Sequence, residues 1–390
     1  MNPSARGWIP KLLTALFNNK GYSRISVDNL YSGLREAGFI YGRSVKVVND
    51  YLPAEDLTAE ECSKINLLIA LNSVYKNSEL NQPFVKHLIE FYSGIDDYKT
   101  SLIGKIFGRK TSATTLEGII HKRVQIDSNI LTKNFNYFVT NALLYLDVLA
   151  YINFVKAGKV SEDYLKNLEA TVEAVSYKVL QAKEQKNKYD DNLMELIESS
   201  LRYQDYHSID YDEAITHLNY MTERRYLFDI GCMTSWGDHQ IDAEEHVFLL
   251  ELGKDLQLDN QQIQSAILSV NKFYSQHKGD ISLLSTKNTV KNFYDNSSRM
   301  VSKLLSRNKK RLLKELKESK EVMRLISQST IRDLSQEEQK QLQQQLLDIF
   351  KSIPSLAIFM LPGGALLLPL VIKFIPKLLP SAFDDNRIKE

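Results

Sequence analysis

Apolar residues along this chain recur at helical spacing, and no long run alternates as a half-buried strand would. Near the C-terminus Leu342, Leu346, Ile349 and Ile353 follow i, i+4, i+7 and i+11, which puts them on one face of a helix. Proline usage agrees. None occurs between Pro83 and Pro354, as a long helical series requires, because proline removes a backbone donor and clashes inside helices. The pattern predicts an all-α fold: a multi-helical body followed by one C-terminal proline-rich segment.

Two apolar stretches depart from ordinary amphipathic patterning. Residues 137–155, YFVTNALLYLDVLAYINFV, are long enough to span a bilayer, but Asn141, Asp147 and Asn153 interrupt them. An aspartate at the bilayer centre costs about 2.5–3.5 kcal/mol, so this stretch predicts a buried core helix. The second stretch, IPSLAIFMLPGGALLLPLVIKFIPKLLP over 353–380, carries five prolines and a Gly-Gly pair. The twenty residues from Ile353 to Ile372 hold no charge. As a helix that length covers about 30 Å, the hydrocarbon thickness, which predicts membrane insertion.

Lipid tolerates proline only where the freed carbonyls find other partners. Pro354, Pro362, Pro369, Pro376 and Pro380 therefore predict packing against copies of the chain or a membrane-protein partner. Gly363 and Gly364 supply a hinge or a close contact, and Lys373 and Lys377 lie where they can snorkel to the interface. A transmembrane span with its C-terminus outside is expected over a re-entrant hairpin turning at Pro362-Gly363-Gly364. The hairpin's arms, about ten residues each, are too short to cross.

Composition narrows the function. A formal net charge of +1 gives no global pull toward polyanions, and no DNA partner is expected. Cys62 and Cys232 stand far apart and outside any C-x-x-C pair, which excludes a disulfide scaffold, a zinc ribbon and a dithiol redox site. The N-terminal apolar patch is short, holds Lys11 and lacks a small-residue cleavage site. The bulk of the chain is accordingly placed in the cytoplasm, on the inner (cytoplasmic) membrane. The glycines of 104-GKIFGRKTS-112 have the wrong spacing for a phosphate loop and predict a flexible basic loop. No G-x-S-x-G, phosphate loop or nucleophile–base constellation is present, so no enzyme is expected.

Charge does concentrate locally. Residues 303–325 hold nine Lys/Arg against three Glu. They read either as a solvated helix face supported by Glu–Lys pairs, or as a surface whose Lys309, Lys310, Arg311 and Lys314 contact lipid or RNA phosphate.

Residues 229–258 resemble the tellurite-resistance TerB-like helical domain: Asp238, His239, Gln240, Ile241, Asp242 and Glu245 match its D-G-x-I-D-x-x-E pattern. His239 stands where that family often has glycine. The resemblance implies a divalent cation held by Asp238, His239, Asp242, Glu245 and His246. Asp242 and Glu245 also form a D-x-x-E capping box, which accounts for both acids without a metal.

The spacing Pro362-x6-Pro369-x6-Pro376-x3-Pro380, ending LPSAF, resembles the membrane segment of the LETM family of mitochondrial inner-membrane proteins. Upstream, 334-LSQEEQKQLQQQLLDIFKSIP-354 resembles the polar helix preceding that segment, so the likeness covers roughly 330–384. It implies potassium/proton or calcium/proton exchange and ribosome binding. Ala365 replaces the family's acidic residue. As a whole, the chain resembles a bacterial group described as LETM-related and biofilm-associated.

The expected organisation is an N-terminal helical region (1–130), a helical core region (131–204), a TerB-like domain (205–285), a basic amphipathic region (286–351) and the LETM-like segment (352–390). The expected function is non-enzymatic tethering to membrane lipid, with a role in cation or envelope homeostasis linked to biofilms. An oligomeric cation/proton exchanger and a ribosome-binding membrane protein are the alternatives. Carriers need an intramembrane ionisable residue, and residues 353–372 contain none.

Overall fold

The computed structural model describes residues 1–52, 57–96, 113–124, 141–182, 210–235, 243–277, most of 301–353, and 356, 359 and 368–378. Every regular element among them is helical. The chain divides into two compact units. The first comprises Met1–Ala54, Ala59–Ile126 and Phe135–Thr286; the second comprises Glu55–Thr58, Asp127–Asn134 and Lys287–Glu390. Nearly all of regions 1–130, 131–204 and 205–285 thus lies within one unit.

The first unit begins with α1 (Trp8–Asn18), α2 (Lys20–Ser23), α3 (Val27–Glu36) and a 3₁₀ turn (Val48–Asp50). There follow α4 (Ala59–Lys76), α5 (Phe84–Asp96), α6 (Ala113–Val124), α7 (Tyr145–Ala157) and α8 (Glu162–Gln181). The short α9 (Tyr211–Thr216) leads to α10 (Met221–Ser235), α11 (Ala243–Asp255) and α12 (Asn260–His277).

Local chemistry sets the helix ends. The Ser26 and Ser161 hydroxyls accept the backbone N–H groups of Asn29 and Tyr164 at 3.2 and 3.1 Å, satisfying donors that a helix leaves open. Asp28, Glu162 and Asp163 occupy the same first turns, where the helix dipole favours acids. α3 ends at Gly38, whose φ of +76° turns the chain back so that Phe39 donates to the Leu34 carbonyl at 2.9 Å. A Cβ at Gly38 would collide with the Arg43 carbonyl and the Phe273 ring.

At the centre of this unit α10 packs against α7, α8, α11 and α12. Its residues Tyr226, Leu227 and Phe228 are wholly enclosed. α7, packed on α4, buries every residue from Tyr145 to Tyr151, so the apolar stretch 137–155 is a core helix over its described part. Asp147 can occupy that core because Arg123 Nε donates to it at 2.8 Å and the Tyr92 hydroxyl at 3.2 Å. Unpaired, a carboxylate there would be strongly destabilising. Cys62 and Cys232 are buried free thiols. The loop 104–112 lies outside the described residues.

The second unit contains α13 (Lys309–Glu318), α14 (Lys320–Ser329), α15 (Gln336–Ser352) and α16 (Leu368–Leu378). α13 packs on α14 and α15, and α14 packs on α15 and α16. Leu312 and Leu316 of α13, Val322 and Ile326 of α14, and Leu342, Leu346 and Phe350 of α15 meet in one apolar core. Ile353 joins this core as expected, whereas Ile349 is only partly buried.

Candidate functional site

The second unit holds the basic segment and the proline-rich segment singled out in the sequence, and its geometry starts at α15. Ser335 caps that helix: its Oγ accepts from Glu338 N at 3.2 Å, while the Glu338 carboxylate accepts from Ser335 N at 2.9 Å. This is the reciprocal capping box, which satisfies two open donors at once. Arg332 reinforces it with a two-pronged contact to Glu338 at 2.9 and 2.7 Å. That guanidinium and the backbone at Ser335 hold the Glu338 carboxyl down to about 2. Because the folded value is depressed, the contribution is present above the ordinary glutamate range and is lost as pH falls toward 2. Ser335→Ala is expected to lower the stability of this unit by about 1 kcal/mol. Urea titrations at pH 7 with circular dichroism check it, and an unchanged midpoint would count against the cap.

α15 stops at Ser352, because Ile353 is extended at φ −116°, ψ 99°. The residue before a proline is pushed out of the helical region, and Pro354 follows. α15 therefore does not run on into the charge-free stretch 353–372, whose last described part, Leu368–Ile372, opens α16. No helix among the described residues is long and apolar enough to cross a membrane. Pro369 sits in the first turn of α16, where proline is tolerated. Pro376 lies nearer its end and is half-buried. Leu368, Val371 and Ile375 of α16 enter the same core as α13 to α15, while Lys373 stays exposed. Pro354, Pro362, Gly363, Gly364 and Pro380 lie outside the described residues.

The basic segment also finds its place here. α13 turns Leu312 and Leu316 inward and leaves Lys310, Arg311, Lys314 and Lys317 exposed, with Lys309 half-buried. Arg324 on α14 is paired with Glu321 at 2.8 Å. The structure thus brings the basic helix, the polar helix and the start of α16 into one module.

The cation ligands expected in the first unit fall only partly on the described residues. Asp238, His239 and Asp242 lie outside them; Glu245 is buried and His246 half-buried on α11. Among the described residues no group of three or more His, Cys, Asp or Glu side chains is placed to hold a metal.

Two polar features of the first unit escaped sequence reasoning. The Asp229 carboxylate, fully buried on α10, accepts from the Tyr31 hydroxyl at 2.5 Å and from Arg35 Nε at 2.9 Å, both on α3. Burial pushes this carboxyl up, against the pull of Arg35 and the Tyr31 hydroxyl. Elsewhere a cavity of about 400 Å³ is lined by Asn153, Asp163, Asn167, His217 and Glu223. Glu223 accepts from the Tyr164 hydroxyl at 2.6 Å and from the backbone N–H groups of Asn219 and Tyr220 at 2.7 and 2.9 Å. Both features join residues distant in sequence; only the short-range cap from Glu223 to Asn219 left a local signal.

Residues 334–390 match a family model described as LETM1-like, RBD. The C-terminal segment is LETM1-like. Over 58 residues the chain is 40% identical to the LETM1 domain-containing protein mdm28, mitochondrial, of Schizosaccharomyces pombe. That alignment covers 15% of this chain and 12% of the mdm28 sequence, so the match spans about an eighth of the relative's length. No solved structure matches the chain. α15 and α16 both fall inside the LETM1-like segment. α13 and α14 precede it, yet they supply part of its core.

Proposed function

We propose that this protein is a non-enzymatic membrane tether whose C-terminal LETM1-like module attaches a helical body to the inner (cytoplasmic) membrane. Its role lies in cation or envelope homeostasis, as in the biofilm-associated group that the chain resembles. The observation that carries this reading is the charge-free run 353–372 inside the LETM1-like match. A water-exposed run of that length is costly at about 25 cal/mol per Å² of apolar surface. Ile353, Leu356 and Phe359 at one end of the run, and Leu368 and Val371 at the other, are buried in the module's core. The tethering unit is therefore the folded module as a whole and not an isolated helix.

The full chain is expected to sediment with membranes and to stay there after a high-salt wash, while residues 1–351 alone remain in the supernatant. Recovery of the intact chain in the high-speed supernatant would refute the tether. Ion exchange is the weaker reading, since 353–372 has no ionisable residue and Ala365 replaces the family's acid. A ribosome-binding role gains support from the description of the matched family as RBD and from the basic face of α13. Co-sedimentation of the full chain with ribosomes through a sucrose cushion tests it.

A further inference from the structure

We propose that Lys310, Lys314 and Lys317 form a stripe on α13 that docks on the anionic headgroups of a lipid surface. The proposal rests on the tether reading above and names the chemistry that the module would meet.

The three lysines follow i, i+4 and i+7, so they line one side of α13, and all three are exposed. Leu312 and Leu316 occupy the opposite side and are fully buried in the module's core. An amphipathic helix that inserts into lipid needs its apolar face free. Here that face is already engaged, and only the charged face remains for a partner. Among the described residues no carboxylate is paired with the stripe, whereas Arg324–Glu321, Arg332–Glu338 and Lys351–Asp348 are ion pairs of the same module. Among the described residues the stripe's charge is thus not neutralised.

Stability alone does not account for this placement. The first turn of α13 holds Lys309, Lys310 and Arg311 and no acid, the reverse of what the helix dipole favours. Local choices that oppose the fold mark positions retained for function. The partner's nature follows from the residue types. Three of the four exposed cations of this helix are lysines, which act as point charges, while arginine supplies the planar fork suited to bidentate phosphate recognition. α13 has no aromatic side chain on which a base could stack. A diffuse anionic surface fits such a stripe better than RNA. The same module carries the charge-free run, so basic and apolar elements, well separated in sequence, act from one folded body.

The test uses the full chain in flotation with vesicles of phosphatidylcholine alone or with 30% phosphatidylglycerol, at low and high salt. The chain with Lys310→Gln, Lys314→Gln and Lys317→Gln is compared, its helical content checked by circular dichroism. The expected result is a preference for phosphatidylglycerol that weakens at high salt and falls on the order of 100-fold in the triple variant. Lys340→Gln, an exposed control on α15, should retain it. Equal binding of wild type and variant to both vesicles would leave the tether standing and overturn the stripe. Binding to neither vesicle would overturn both. Lipid-indifferent wild type that binds a ribosomal RNA fragment through these lysines would also overturn the lipid assignment, in favour of RNA.

Discussion

Arg35→Met is expected to cost the first unit about 3–5 kcal/mol, because it leaves the Asp229 carboxylate buried without its cation. Arg35 is 4% exposed and Asp229 0%, and Arg35 Nη2 approaches the carboxylate at 2.8 Å. The Tyr31 hydroxyl would remain as a donor at 2.5 Å, but one neutral hydrogen bond does not replace a paired charge in the interior. The double variant Arg35→Met, Asp229→Leu should regain most of the loss, since well-packed apolar pairs substitute for buried ion pairs with little penalty. Both tryptophans, at positions 8 and 236, belong to the first unit. Urea unfolding followed by tryptophan fluorescence therefore reads this unit. If the single variant unfolds at the wild-type midpoint, the pair does not hold α3 to α10.

Phe350→Ala is expected to have a comparable effect on the second unit, about 3–5 kcal/mol, through a lost aromatic side chain and the cavity left behind. Phe350 is fully buried on α15 and its ring centroid lies 5.1 Å from that of Phe359. The change should appear in the far-ultraviolet circular dichroism of unfolding while the tryptophan transition keeps its wild-type midpoint. An equal shift of both signals would contradict a separate core in the second unit. Substituting Ile349, which is only partly buried, should cost less.

Much of this architecture was legible in the chain. The helical period of Leu342, Leu346, Ile349 and Ile353 identified the buried face of α15 at Leu342 and Leu346, while Ile349 is partly buried and Ile353 enters the core from just past the helix end. The polar interruptions of 137–155 similarly marked a protein core: Asp147 is tolerable there once Arg123 and Tyr92 reach it. The proline register at 362–380 pointed to the LETM family, and the family match over 334–390 includes it. The end of α15 at Ile353 follows a local rule. Pro354 forces the preceding residue out of the helix, and that signal was present in the sequence.

Local patterning along the chain settles the helical character of the described elements and which face of α15 is apolar. These are short-range matters of period, capping and proline sterics, decided within a few residues of each position. Which charges pair is settled by the tertiary fold. Tyr31 and Arg35 meet Asp229 from almost two hundred residues away, and no local pattern encodes such a partner. The fate of α13 was also a tertiary outcome. Its composition allowed a solvated face or a polyanion-binding one; packing against α14 and α15 consumed Leu312 and Leu316 and left the lysines outward. Burial of apolar area is non-directional and acts between whatever surfaces the chain brings together, so the face that remains free is settled only when the module closes.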